Sequence, residues 1–128
     1  MNRFLIAAFV AAMAPFAAHA ADLSGEIATA AQHADLAAQA TDIAGVHAHL
    51  QHTLNCLVGP SGAGFDAKQL NPCANSGNGA IPDAGSDAAK LRVLKSAATN
   101  VGVGLRENNL STAQATAAHI AKKLEAIK

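Results

Sequence analysis

Apolar residues recur at helical spacing along nearly the whole chain, with one long interruption. Leu91, Leu94, Ala98, Val101 and Leu105 follow a 3-4-3-4 spacing, which gathers them into one stripe and predicts a helix from about Ser86 to Glu107. Ser86 is suited to cap it, with Asp87 placing negative charge in the first turn. Gly102 and Gly104 weaken the helix near its end by roughly 1 kcal/mol each relative to Ala. Asn108 and Asn109 mark a tight turn. Ser111 then opens a last helix to near Ile127, with a seam of Ala113, Ala117, Ile120, Leu124 and Ile127. Lys122, Lys123 and Lys128 sit in its final turns, where positive charge suits the helix dipole. A short turn between two such helices predicts an antiparallel αα-hairpin.

The first half reads as a fainter copy. A shift of 74 places Leu36 on Leu110, Val46 on Ile120 and Leu50 on Leu124, and lays His33-Ala34-Asp35 over the turn at Glu107-Asn108-Asn109. This predicts a short helix from Leu23 to Gln32, a turn, and a longer helix from Leu36 to Leu57. A single kinked helix through the same Ala-rich stretch is the alternative. Between the halves, Val58 to Gly85 contains Pro60, Gly62, Gly64, Pro72, Gly77, Gly79, Pro82 and Gly85, a density that excludes regular helix. The predicted fold is all-α: an antiparallel four-helix bundle built from two αα-hairpins joined by this loop.

Residues 1–20 are set apart. Arg3 gives a positive start, Phe4 to Phe16 is a short apolar run, and Ala18-His19-Ala20 fits a cleavage site, so a secretory signal peptide is expected. The expected mature domain is residues 21–128, a single domain, periplasmic or secreted, with no membrane association after cleavage. Removing Arg3 leaves eight Lys and Arg against nine acids, a net charge of −1, and leaves Phe65 as the one aromatic ring besides histidine. A neutral surface without stacking rings argues against nucleic acid as a partner. In an oxidising compartment Cys56 and Cys73 are expected to form a disulfide that staples the loop, contributing about 3 kcal/mol in the chain-entropy model. Phe65 is then the natural plug between loop and helices.

The chemistry concentrates in "GVHAHLQHTLNC", which carries His47, His49, His52 and Cys56. On a helix, His49, His52 and Cys56 share the side opposite Ile43, Val46, Leu50, Leu54 and Leu57. His49 and His52 are an i, i+3 pair that can offer two imidazoles to one metal ion; alternatively they are a solvated pair near a helix C-terminus. With Cys56 in a disulfide, no thiolate completes a His-His-Cys set. His47 falls in the apolar seam. It is either a core histidine with a hydrogen-bond partner, with His33, His119 or an Asn or Thr group as candidates, or a ligand facing the bundle interior. The candidate metal ligands are therefore His47, His49 and His52, with His33 and His119 as further candidates. His33 could join His47 if the first two helices form one rod.

No CxxCH is present and no Met follows the leader, so no haem is expected. The stretch Asn75 to Asp83 lacks the carboxylates of a calcium loop and reads as turns. No nucleophile or acid/base pair stands out, so no enzyme activity is expected.

The signal peptide, the helix bearing "HAHLQH" and the hairpin "NNLSTAQATAAHIAKKLEAI" together resemble the small histidine-bearing metal-binding proteins of the bacterial periplasm, which are Ala-rich antiparallel helix bundles. That resemblance implies a Cu, Zn or Ni partner. Its members carry more histidine on every helix and lack a Gly/Pro-rich cysteine loop. A module that presents the disulfide loop to another envelope protein is the second expectation.

Overall fold

The computed structural model describes residues 20–128. The expected leader, apart from its last residue, lies outside them. Four long helices form: α1 (Leu23–Gln39), α2 (Ile43–Val58), α4 (Ala88–Gly104) and α5 (Leu110–Glu125). A four-residue helix, α3 (Ala80–Asp83), interrupts the long connection. No strand occurs among the described residues. The helices pack antiparallel as a helical bundle. α1 lies against α2 and α5, and α4 against α5 and α2. No helix among the described residues is long and apolar enough to cross a membrane.

Each long helix starts on an Asp or Asn whose side-chain oxygen accepts a backbone N–H from its first turn: Asp22 from Gly25, Asp42 from Gly45, Asp87 from Lys90 and Asn109 from Thr112. α4 is thus capped by Asp87 rather than Ser86 and stops at Gly104 rather than Glu107. α5 is capped by Asn109 rather than Ser111. The seam residues Leu94, Val101, Ala113, Ala117, Ile120 and Leu124 are all buried, as the spacing predicts.

The first hairpin corrects two expectations. Its turn lies at Ala40–Asp42, not at His33–Asp35. Ala34 and Ala37 are fully buried on α1, so packing carries the helix through the expected break. The capping residues Asp42 and Asn109 differ by 67 positions, seven fewer than the shift of 74. A slip of one heptad keeps the apolar seam in phase, so the wrong register matches hydrophobic residues almost as well as the right one.

The second correction concerns the face of α2 expected to be wet. Thr53, Leu54, Asn55, Cys56 and Leu57 are buried in succession, so this end of the helix is enclosed on all sides. Leu50 and Leu57 fill the bundle centre. The Thr53 hydroxyl lies 3.0 Å from the His49 carbonyl and 3.3 Å from that of Ala30 across the α1–α2 contact. The small Ala side chains of α1 allow this close approach.

The Cys56–Cys73 disulfide is formed, and both cysteines are buried in the core. The loop is also closed by backbone contact at its neck. Gly59 and Gly79 have φ of 68° and 112°, and a Cβ on either would strike the other strand of the neck. Asn55 anchors the loop from within. Its amide donates to the carbonyls of Asp66 and Leu70, and its oxygen accepts from the Asp66 N–H, each at 3.0 Å. Phe65, the expected plug, is only half-buried and does not belong to the packed core.

Candidate metal centre

Three imidazoles meet where α1 crosses α2. His33 comes from α1; His49 and His52 come from successive turns of α2. Each offers a ring nitrogen, and the three nitrogens lie within 4.8 Å of one another. Ring centroids are 5.6 Å apart for His33–His49, 5.2 Å for His33–His52 and 5.6 Å for His49–His52. His33 Nδ1 and His49 Nδ1 face each other at 3.4 Å, beyond the usual 2.7–3.2 Å of an N–H hydrogen bond. His52 Nδ1 is buried with no hydrogen-bond partner. All three rings are half-buried.

The electrostatics favour the neutral form of His33 and of His52. Burial lowers the pKa of His33, and the neighbouring His52 and His49 lower it further. Burial and His49 lower that of His52, with Gln69 of the loop acting in the opposite direction. A neutral imidazole is the form that ligates a metal. No carboxylate or thiolate belongs to the cluster, and Cys56 is committed to its disulfide.

The remaining sequence candidates lie elsewhere. His47 Nε2 donates to the Glu107 carbonyl at 2.8 Å, which ties α2 to the α4–α5 turn. Its partner is therefore a backbone carbonyl rather than His33, His119, Asn or Thr. His119 is exposed on α5. His33 does not reach His47 along one rod, because the chain reverses between them. The structure thus brings together His33, His49 and His52, and leaves His47 and His119 outside the cluster.

A second polar group escapes the sequence pattern. Glu26 on α1 is fully buried. One carboxylate oxygen accepts the Gly79 N–H at 2.9 Å; the other has no partner. Desolvation raises its pKa from the ordinary 4.5 to about 7, with Asp83 and Asp22 adding to the rise against the Gly79 hydrogen bond. Gly77 leaves the room that Glu26 and Asp83 occupy. Asp83 is itself used to close the turn, accepting from the Asn78 N–H at 2.6 Å and its side-chain amide at 3.1 Å. Of the stretch read from the sequence as turns, Asn75 to Gly79 is turn and irregular backbone, whereas Ala80 to Asp83 forms the short helix α3 instead.

Comparison with known proteins returns no matching family model, no matching curated protein and no matching solved structure. The fold and site define a small all-helical domain with a histidine cluster and a disulfide. Its likeness to histidine-bearing metal-binding bundles holds at that general level.

Proposed function

We propose that this is an exported, non-catalytic protein that binds one transition-metal ion, Cu, Zn or Ni, through His33, His49 and His52. The observation that carries the reading is the convergence of three imidazoles without any acidic partner. Histidines that serve packing alone find a hydrogen-bond acceptor when buried, as His47 does at Glu107. The cluster does the opposite. His33 Nδ1 and His49 Nδ1 have only each other, at a long 3.4 Å, and His52 Nδ1 has no partner. A cation can take one nitrogen from each of the three rings at once, and imidazole suits these ions. The signal peptide expected from residues 1–20 supports export, and the buried disulfide suits an oxidising compartment.

Calorimetric titration of the untagged protein at pH 7.5 tests this. One ion per chain, bound more tightly than about millimolar, is expected. Replacing His33, His49 and His52 together by Ala should abolish it; replacing His47 and His119 should not. Absence of binding, or affinity unchanged in the triple variant, refutes the reading.

A second reading has one observation in its favour. Leu70, at the loop's outer edge, is 59 % exposed, the kind of apolar contact an envelope partner protein would cover. Loss of capture of such a partner on Leu70→Asp, with metal making no difference, would favour it.

A further inference from the structure

The arrangement of the three rings narrows the ion and the way it is held. Three nitrogens bound to one ion at about 2.0–2.1 Å lie about 3.3–3.4 Å apart at tetrahedral angles, and about 2.9 Å apart at right angles. His33 Nδ1 and His49 Nδ1 are 3.4 Å apart. The ring centroids form a nearly equilateral triangle with sides of 5.6, 5.2 and 5.6 Å. Three in-plane ligands of a square-planar centre would instead give two short separations and one long one. The rings therefore form a tripod, which disfavours the tetragonal geometry of Cu²⁺ and Ni²⁺. No sulfur donor is available to favour Cu⁺, since the one nearby thiol is oxidised.

Among the His, Cys, Asp and Glu side chains of the described residues, the donor set also stops at three. Imidazole ligates as a neutral donor, so a divalent ion held by three of them keeps its full charge and favours an anion or a polarised water in the remaining corner. The rings are only half-buried, so solvent reaches the cluster.

Resting on the metal-binding reading above, we infer that His33, His49 and His52 hold Zn²⁺ tetrahedrally and leave its fourth position open to a small exogenous donor such as water or a simple anion. In that state the ion is exchangeable from one side and can carry a bound anion, which separates this site from a closed structural zinc site with four protein ligands.

Co²⁺ loaded into the full, untagged protein reports the geometry, because tetrahedral Co²⁺ absorbs visible light far more strongly than six-coordinate Co²⁺. Intense visible bands that shift on addition of azide, are lost in His49→Gln and persist in His119→Gln are expected. Zn²⁺ should displace the Co²⁺ and bleach the bands, and His49→Gln should weaken Zn²⁺ binding at least about tenfold by calorimetry. Weak six-coordinate bands, bands indifferent to azide, or Zn²⁺ binding with no Co²⁺ spectrum would overturn the open tetrahedral site while the metal reading stands. Failure of both Zn²⁺ and Co²⁺ to bind would overturn both.

Discussion

The two helical hairpins are built alike and buried differently. α1–α2 and α4–α5 have the same lengths, 17 and 16 residues, and the same Asx caps. α4 and α5 bury Leu, Val, Ile, Ala and one Gly, and nothing polar. The buried polar side chains of the described residues, Glu26, Thr53 and Asn55, all belong to α1 and α2. The three-histidine cluster and the α2 end of the disulfide lie there too. Burying polar groups costs stability unless they are paired, so α4–α5 serves as scaffold and α1–α2 carries the chemistry. That division can be tested by attacking the first hairpin and the loop tied to it, where the scaffold has no counterpart.

The largest effect is expected at the loop neck. Gly79→Ala places a Cβ against the Gly59 backbone and strains a residue at φ 112°. A loss of more than about 4 kcal/mol is expected in denaturant unfolding. Gly102→Ala, in the scaffold, has open space apart from the Arg106 side chain and should gain up to about 1 kcal/mol. Equal effects at the two sites would remove the contrast.

Glu26 comes next and makes the contrast depend on pH. Its pKa is raised from 4.5 to about 7 in the folded protein, so the folded state holds the proton more tightly than the unfolded state. Stability is therefore greatest below about pH 4.5 on this account, falls as pH rises toward 7, and is level above. The full shift corresponds to about 3 kcal/mol. Glu26→Gln keeps an acceptor for the Gly79 N–H and removes the charge. It should match the wild type near pH 4, exceed it by up to about 3 kcal/mol at pH 8, and flatten the profile between. A wild-type profile already flat from pH 4.5 to 8 would refute the buried-acid account.

Asn55→Ala follows, because it strips the Asp66 N–H and the Asp66 and Leu70 carbonyls of their partner. A loss of about 2 kcal/mol is expected, with faster hydrogen exchange at Asp66. Unchanged exchange there would show that the disulfide alone holds the loop.

Much of this architecture was legible in the sequence, and the miss that mattered most for the site has one cause. The α4–α5 seam, the irregular linker and the disulfide followed from spacing, from Gly and Pro, and from the two cysteines. The first turn was misplaced because Ala-rich helices offer little side-chain pattern and a heptad slip keeps the seam in phase. That single error hid the site. His33 and His49 stand eight residues either side of Thr41, so a hairpin turning there sets them face to face. With the turn placed at His33–Asp35, His33 becomes a loop residue and His49 appears to point into solvent. Asp42 before the apolar Ile43 was the available signal. Asn55 and Glu26 gave none, since a polar residue in a helix reads as exposed until its long-range partners are known.

The smallest predicted effect separates histidines of two kinds. His47 donates to the Glu107 carbonyl and so bridges the two hairpins. A carbonyl only accepts, so Nε2 carries the proton and is not free to ligate. His47→Phe keeps the ring's bulk and loses one hydrogen bond, leaving that carbonyl, at the half-buried Glu107, to water. A loss of about 1 kcal/mol in thermal or denaturant unfolding is expected, with metal stoichiometry and affinity unchanged. His33→Phe should show the opposite profile. It removes a nitrogen whose facing partner is another imidazole rather than a carbonyl, so stability without metal should hold or rise, while metal affinity falls. If His47→Phe weakened metal binding as much as His33→Phe, His47 would have to be counted among the ligands and the separation of the two kinds of histidine would fail.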